Sequence, residues 1–198
     1  MRLYPINKGK VTIDGYDLNE LSIESIRKNI TYISQDSYIF KDTVRKNIVL
    51  ERNDISDEQI LDVMEQIGAN PLLNRLDNGL DEIVDVNRLS KGELQVIAFI
   101  RAIVHKANIY IFDEPTAALD PLMEIEVFNK IINKINDKIS FFITHRLGFT
   151  DKVDKILMIK NNCLCEIGTF AELVNMKGEF YRLYESQKKL YLRSSNDD

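Results

Sequence analysis

Near the middle of the chain the sequence reads Ile109-Tyr110-Ile111-Phe112-Asp113-Glu114, four apolar side chains followed directly by two carboxylates. A short apolar run bounded by charge is typical of a buried strand in a parallel sheet. Ligands of such sheets bind just beyond the carboxyl ends of the strands, so Asp113 and Glu114 lie where a functional site is expected. Taken alone, the pair is equally consistent with a strand that ends in two solvated acids.

Strands alternate with helices on both sides of this stretch. Apolar runs predict strands at residues 10–13, 30–33 and 139–143, and a hairpin of residues 156–159 and 164–167 across Asn161-Asn162. Helical spacing predicts helices at residues 22–28, 121–133, 170–174 and 180–190, and mainly helical structure over residues 42–88. This order predicts an α/β fold in which the strand at 139–143 is also buried.

Two helix starts have the spacing of a capping box, Ser56 with Gln59 and Ser90 with Glu93. The first helix is predicted to bury a face formed by Ile60, Leu61, Met64 and Ile67. The second is apolar nearly all round, which predicts a buried helix with Val96, Ile97, Phe99, Ile100, Ile103 and Val104. His105, which follows it, is predicted to lie on the surface of the helix.

Composition excludes several classes of protein. The formal net charge of the 198 residues is −5, which argues against bulk electrostatic binding to nucleic acid. The sequence has no apolar run of the roughly 18 residues that a membrane-spanning helix needs. Cys163 and Cys165 have no other Cys or His nearby, so two ordinary thiols in a reducing compartment are expected rather than a metal site.

Five motifs in order resemble those of the ATP-binding domain of ABC transporters, and the resemblance covers about residues 3–190. Gln35 is similar to the Q-loop glutamine, and Leu89-Ser90-Lys91-Gly92-Glu93 to the LSGGQ signature. The stretch 109–114 resembles the Walker B strand, Ala118-Leu119-Asp120 the D-loop, and His145 the switch histidine. The resemblance implies one α/β domain over residues 1–190 and a polar tail at 191–198. This domain would be a partial P-loop NTPase (ABC ATPase) fold with an inserted helical lobe over about residues 42–104 and an antiparallel β piece near the N-terminus.

The segment after Gln35 resembles the exporter type of this family. Residues 35–48 read QDSYIFKDTVRKNI, similar to the exporter pattern Q-D-x-x-L-F-x-x-T-I-x-x-N-I. The resemblance implies that the segment Asp36–Ile48 contacts the coupling helix of a transmembrane domain. It also implies a place on the cytoplasmic side of the membrane, peripheral through that partner, and no nucleic acid partner. The alternative for the apolar residues Tyr38, Ile39 and Phe40 is packing under the helical lobe.

The resemblance assigns ATP and Mg²⁺ as cofactors. Asp113 and Gln35 would bind Mg²⁺, Glu114 would activate the attacking water, and His145 would donate a hydrogen bond to the γ-phosphate. The plainer alternatives are solvated acids at the strand end, an exposed loop glutamine and a structural histidine.

The resemblance also implies a head-to-tail dimer with a second ABC ATP-binding domain. Ser90 and Gly92, at a helix N-terminus, would reach the γ-phosphate of ATP held by the opposite subunit. Asp120 would link the two sites across the dimer. The simple alternative is that Ser90 and Asp120 only cap their helices. Lys91 and Glu93 depart from the glycine and glutamine that are commonest in the family.

A nucleotide site of this class needs a P-loop, G-x-x-x-x-G-K-[ST], and the 198 residues contain none. Gly9-Lys10 is nearest, but Tyr4 and Val11 occupy the positions that require Gly and Ser or Thr. The segment Arg2-Leu3-Tyr4-Pro5 is similar to the one that follows the P-loop helix in the family, so the P-loop is expected upstream of Met1. The chain alone is therefore expected to bind Mg-ATP weakly or not at all, to expose an apolar sheet face and to aggregate.

Three interpretations remain open from the sequence. The chain is an ATP-binding and ATP-hydrolysing part of an exporter that couples hydrolysis to transmembrane transport. Alternatively, it is a catalytically incompetent module that supplies only its signature helix to a partner ATPase or regulates that partner, or it is a decayed gene fragment. If mutation of Ser90 slows hydrolysis by a partner and mutation of Glu114 does not, the incompetent module is favoured; equal damage from both mutations favours the ATPase. The transported substrate is not encoded here.

Overall fold

The computed structural model describes residues 2–35, 37–115 and 121–194, and the side chains among them except those of 121–125 and 190–194. The chain divides into two compact units, Met1–Ile143 and Thr144–Asp198. Each unit has apolar side chains buried in its own interior. The two units are therefore taken one after the other.

A three-stranded parallel sheet lies at the centre of the first unit. Its strands are β3 (Ile30–Ile33), β4 (Ile109–Asp113) and β5 (Ile139–Ile143), in the spatial order β3-β4-β5. Ile33 pairs with Phe112, and Asp113 pairs with Ile143. The three strands thus end at one edge of the sheet, which confirms the parallel arrangement predicted around residues 109–114.

Helices pack on the sheet through a cluster of phenylalanines. These helices are α5 (Lys91–Val104) and α6 (Pro121–Lys134), which contribute Phe99 and Phe128. Both rings and that of Phe112 are fully buried, with centroids 6.1–6.3 Å apart. Phe142 stacks on Phe112 at 4.8 Å. Truncation of such a buried ring to alanine costs about 3–5 kcal/mol, so this cluster is a main source of stability for the sheet edge.

The other face of β5 is exposed, contrary to the prediction of a buried strand. Ile139, Phe141 and Ile143 are 56%, 53% and 52% exposed, whereas Phe142 between them faces the core. The reason is that successive side chains of a strand point to opposite faces, and on β5 it is the face of Phe142 that packs on the phenylalanine cluster. An apolar sheet face, expected from the sequence, is therefore present on this strand.

Short helices occupy less than half of the segment between β3 and α5. They are α2 (Val44–Val49), α3 (Asp57–Gln66) and α4 (Asn70–Leu73), followed by a 3-10 turn at Gly79–Asp81. Both predicted capping boxes are confirmed, at Ser56 and at Ser90. On α3 the prediction for Leu61 is wrong, because Leu61 is 41% exposed and Val63 is buried instead. Val63 lies three residues after Ile60 and shares its face, whereas Leu61 is rotated by about 100°.

A small antiparallel hairpin precedes the sheet, as the predicted fold requires. It joins β1 (Thr12–Ile13) to β2 (Tyr16–Asp17) through Asp14-Gly15, whose φ angles are 51° and 86°. Glycine adopts this left-handed backbone without strain. Helix α1 (Ile23–Asn29) follows, and the Ser22 hydroxyl accepts a hydrogen bond from the Ser25 backbone N–H at its N-terminus.

The second unit contains a hairpin and two helices. Strands β6 (Ile156–Lys160) and β7 (Cys163–Gly168) pair across Asn161-Asn162, both in left-handed backbone, which confirms the predicted hairpin. Helices α7 (Phe170–Met176) and α8 (Glu179–Ser194) follow. The Glu166 carboxylate accepts hydrogen bonds from the backbone N–H groups of Glu179 and Phe180 and so caps α8. Both cysteines are exposed free thiols.

None of the helices that the structure describes combines the length and the apolar character that a bilayer-spanning helix needs.

Candidate functional site

Asp113, the last residue of β4, is oriented by a tyrosine of the neighbouring strand. The Tyr32 hydroxyl donates a hydrogen bond to Asp113 Oδ2 at 2.7 Å. This hydrogen bond, with a smaller contribution from burial, raises the pKa of Tyr32, so the phenol stays a neutral donor. The sequence reasoning missed Tyr32. The available signal was strand register, because Tyr32 pairs with Ile111 and therefore faces the same side as Asp113.

Glu114 follows in an unusual backbone conformation. Its φ is 47°, in the left-handed region, and its backbone N–H donates to the Ile143 carbonyl at 2.8 Å. Lys106 and Lys177 adopt similar angles, but they follow helices, where this conformation is common. After a strand it costs a non-glycine residue about 1–3 kcal/mol, and such strain persists where the surrounding structure fixes the backbone. The turn places two adjacent carboxylates at the end of one strand.

Gln35 lies at the same edge of the sheet. It is exposed and follows the end of β3 by two residues, while Ile33 of that strand pairs with Phe112 of β4. The parallel register therefore brings Gln35, Asp113 and Glu114 to one edge. Next to Gln35, the Ser37 hydroxyl donates to the Ser34 carbonyl at 3.1 Å and closes the start of the loop.

The donors at this edge fit part of a Mg²⁺ site. Carboxylate and amide oxygens, as in Asp113 and Gln35, are the ligand types that Mg²⁺ prefers. Among the described residues, no group of three or more His, Cys, Asp or Glu side chains could hold a metal ion. Mg²⁺ is usually bound through one or two carboxylates, with water and substrate phosphates completing the shell.

Ser90 and Gly92 form the N-terminus of α5. The Ser90 hydroxyl accepts a hydrogen bond from the Glu93 backbone N–H at 3.2 Å and donates one to the Glu93 carboxylate at 2.9 Å. Arg75 pairs with the same carboxylate, and Gly92 is buried. Ser90 does not lie at the sheet edge. Arg101 of α5 contacts the loop after β3, and Ser90 is about three turns, or about 16 Å, away from Arg101 along the helix.

The remaining predicted site residues are His145 and Asp120. His145 belongs to the second unit, where its side chain is exposed and its carbonyl accepts a hydrogen bond from Gln187 of α8. Gln187 also accepts one from the Leu147 backbone N–H at 3.0 Å, so α8 fixes the backbone around His145. Asp120 lies outside the described residues, as does Asp36 of the predicted partner-binding segment.

His105 is not a surface residue, so this prediction is wrong. Its ring is half-buried and its Nε2 lies 3.1 Å from the Ile48 carbonyl. The reason is that His105 caps the C-terminus of α5 and folds against the end of α2. Burial lowers the pKa of His105, and the neutral ring donates from Nε2 to the carbonyl.

An exposed aromatic patch, defined here as Tyr38 and Phe40, lies on the loop after Gln35. The two side chains are 71% and 48% exposed, and their rings meet edge to face at 4.8 Å. Packing of these two rings under the helical segment is therefore not observed.

Comparisons with known proteins agree with this architecture. The family model described as ABC transporter matches residues 1–117. The "Probable multidrug resistance ABC transporter ATP-binding/permease protein YheH" of Bacillus subtilis is 35% identical over 190 residues, which are 94% of this chain and 28% of that protein. The "ATP-dependent lipid A-core flippase" of Escherichia coli K12 is 34% identical over 189 residues, which are 94% of this chain and 32% of the flippase.

A solved structure gives the same result. A bacterial Atm1-family ABC exporter with ATP bound superposes with a TM-score of 0.88 and 28% identity, over 94% of this chain and 33% of that one. The chain thus spans about a third of the length of the relatives it matches. It belongs to the ABC transporter family, as an ATP-binding domain of the exporter type with the α/β fold of these ATPases.

Proposed function

We propose that this chain is the part of an exporter-type ABC transporter that activates water for ATP hydrolysis and couples hydrolysis to transmembrane transport. The observation that carries the proposal is the convergence of Gln35, Asp113 and Glu114 at one sheet edge. In a member of this family, an amide and two carboxylates at the carboxyl end of parallel strands are what phosphoryl transfer needs.

Each group at the edge has a chemical role in this proposal. Asp113, oriented by Tyr32, and Gln35 bind Mg²⁺ through their oxygens. Glu114 orients the attacking water and accepts its proton. His145 donates a hydrogen bond to the γ-phosphate. The bound Mg²⁺ neutralises charge on the phosphates. Because these 198 residues contain no P-loop, the amides and lysine that cradle the phosphates must come from outside them.

The second half of the site is proposed to lie across a head-to-tail dimer of ATP-binding domains. Ser90 and Gly92 of one domain approach the γ-phosphate bound by the other, and Asp120 links the two sites. The free N–H groups and the dipole at the start of α5 favour an anion there. The Ser90 hydroxyl now donates to Glu93, so its engagement with phosphate requires that it turn away from this carboxylate.

The aromatic patch is proposed to contact the coupling helix of a transmembrane domain, as part of the segment Asp36–Ile48. Its exposure supports this assignment. The helices between residues 42 and 104 form the helical lobe, and Asn47 of α2 ties the patch to this lobe. This arrangement places the chain at the cytoplasmic side of the membrane, attached through its partner.

The test is ATP hydrolysis in membranes from cells that make the protein with its natural partners. Glu114→Gln should lower the rate about 100-fold or more, because a positioned general base contributes that much. Glu51→Gln, a matched change at an exposed residue, should leave the rate unchanged. A Glu114→Gln protein that keeps half the rate would refute the role of Glu114.

A second candidate function is a non-hydrolysing module that supplies only its signature helix, or regulates a partner ATPase. The intact capping box at Ser90, together with the lack of a P-loop in the 198 residues, favours it. In that case Ser90→Ala slows hydrolysis by the partner and Glu114→Gln does not. Similar losses from both substitutions support the main proposal.

A further inference from the structure

The guanidinium of Arg101, on α5, binds two carbonyl groups of the segment that carries the aromatic patch. Its Nε donates to the Asn47 carbonyl at 2.7 Å, and its Nη1 donates to the Tyr38 carbonyl at 3.1 Å. The first carbonyl belongs to α2 and the second to the patch itself. Arg101 therefore joins three separate pieces of chain.

Asn47 holds the same loop from inside. Its side chain is fully buried, and its Oδ1 accepts a hydrogen bond from the Phe40 N–H at 2.7 Å. Its Nδ2 donates to the carbonyls of Phe40 at 2.9 Å, Thr43 at 3.0 Å and Asp42 at 3.3 Å. The backbone of the patch is thus tied to α2 by a buried side chain, and α2 is tied to α5 by Arg101.

The end of α2 is closed by residues of α5. Backbone N–H groups of residues 50 and 52 bind the carbonyls of Lys46 and Val49, at 2.9 and 3.0 Å. The carbonyls between them, of residues 47 and 48, accept hydrogen bonds from Arg101 of α5 and from His105, which caps α5. A cation at a helix C-terminus also interacts favourably with the helix dipole. All four carbonyls of the last turn, which helices leave open, therefore have partners.

Although the helix dipole favours a cation here, burial makes the position costly for a charge, so an arginine is expected only where its several donors are needed. Burial lowers the pKa of Arg101, and its Nη2 is buried with no hydrogen-bond partner among the described residues. A lysine would avoid an unpaired nitrogen, but its ammonium group cannot reproduce the fixed planar fork that meets two carbonyls at once. The geometry thus indicates that the arginine connects the loop and α2 to α5 and does more than fill space.

We propose that Arg101 is a positioning residue that fixes the aromatic patch to α5, so that a displacement of the patch moves the helix that begins at Ser90. The inference deepens the proposed function, because it rests on the patch receiving the transmembrane partner. Arg101 would then carry the effect of that partner from the loop after Gln35 to the signature residues.

The first test is amide hydrogen exchange in the native protein, without ATP. Arg101→Met keeps the length of the side chain and removes its donors. Exchange across residues 37–50 should accelerate about tenfold, because two hydrogen bonds to this segment are lost. Arg101→Lys should accelerate it several-fold. Amides of β4 at residues 109–113 should change less than twofold in both variants.

The control is Arg182→Met, which removes an exposed arginine whose guanidinium lies 3.3 Å from Glu179. It should leave exchange across residues 37–50 unchanged. Unchanged exchange there in Arg101→Met would overturn the proposal. Equal acceleration in β4 would also overturn it, because Arg101 would then act on the stability of the whole unit.

The second test is the rate of ATP hydrolysis in the assembled protein. Arg101→Met should lower kcat about tenfold and leave KM for ATP within twofold, because Arg101 is assigned no contact with nucleotide. Phe40→Ala should also lower kcat, and the double variant should be no slower than the slower single variant, since both interrupt one connection.

The outcomes separate the two proposals. Loss of activity in Phe40→Ala with a normal Arg101→Met overturns the positioning role alone. Normal activity in Phe40→Ala overturns the partner contact of the proposed function, while the hydrogen-exchange result still stands as a test of the local geometry. Additive losses in the double variant would show two independent roles and overturn the proposed connection.

Discussion

The sheet edge at Asp113 and the junction between α2 and α5 are built in opposite ways. At the edge, Gln35 is exposed and Glu114 has a left-handed φ of 47°. At the junction, Asn47 is fully buried and its side chain makes four hydrogen bonds to backbone groups of residues 40–43. Arg101 donates one hydrogen bond to the Tyr38 carbonyl of the loop and one to the Asn47 carbonyl of α2. The residues of the proposed catalytic site thus lie where solvent reaches them, whereas the residues proposed to transmit movement are held by many internal hydrogen bonds.

The largest expected effect is at the junction. Asn47→Ala removes the buried amide and leaves buried backbone groups of the loop without partners, so the free energy of unfolding should fall by about 3 kcal/mol. Urea denaturation measures this change. Asn133→Ala, at an exposed position on α6, should change it by less than about 0.5 kcal/mol. An equally small change for Asn47→Ala would contradict the inference that Asn47 holds the loop rigidly against α2.

A smaller change in stability is expected at the edge. Tyr32→Phe removes the hydrogen bond to Asp113, and because Tyr32 is 38% exposed the free energy of unfolding should fall by less than about 1 kcal/mol. The Mg²⁺ concentration for half-maximal ATP hydrolysis should rise about tenfold, since Asp113 loses its orienting partner. Tyr16→Phe, at a 64% exposed position, is the control. An unchanged Mg²⁺ requirement would contradict the assignment of Asp113.

The smallest expected effect is a dependence of folding stability on pH, which arises from His105 at the junction of α2 and α5. Burial lowers the pKa of His105 in the folded protein, and the nearby guanidinium groups of Arg52 and Arg101 act in the same direction. The unfolded chain therefore binds the proton more tightly, and the stability of the fold should decrease as pH falls below about 6.5. Urea midpoints at pH 8 and pH 5 measure the trend. The drop should shrink in His105→Gln, and an equal drop there would assign it to other groups.

Local signals predicted the parts of the fold that short stretches of sequence determine. The apolar run before Asp113 predicts β4 because four consecutive apolar residues flanked by charge suit a strand between two neighbours. The capping boxes at Ser56 and Ser90 were predictable because their hydrogen bonds span three residues. The edge position of β5 was not predictable, since an apolar run does not reveal how many strands flank it.

The contacts at the candidate site were harder to predict because they join distant residues. Tyr32 and Asp113 are 81 residues apart, and only the pairing of β3 with β4 brings them together. In the sequence, Arg101 is simply one cationic residue in an apolar helix. Its partners are backbone carbonyls, which every residue has, so no side-chain pattern marks them. Gln35 and Glu114 were accessible through family resemblance, and their roles stay predictions.

The left-handed backbone at Glu114 has a consequence for how this position tolerates change. Glycine adopts such a φ with little strain, asparagine with less strain than most residues, and β-branched side chains with the most. Judged by folding alone, selection would replace the glutamate with glycine. A chain that retains a carboxylate there keeps a residue that its backbone disfavours. Under the proposed role of Glu114, glycine at this position in a related sequence would mark a copy that no longer uses the carboxylate.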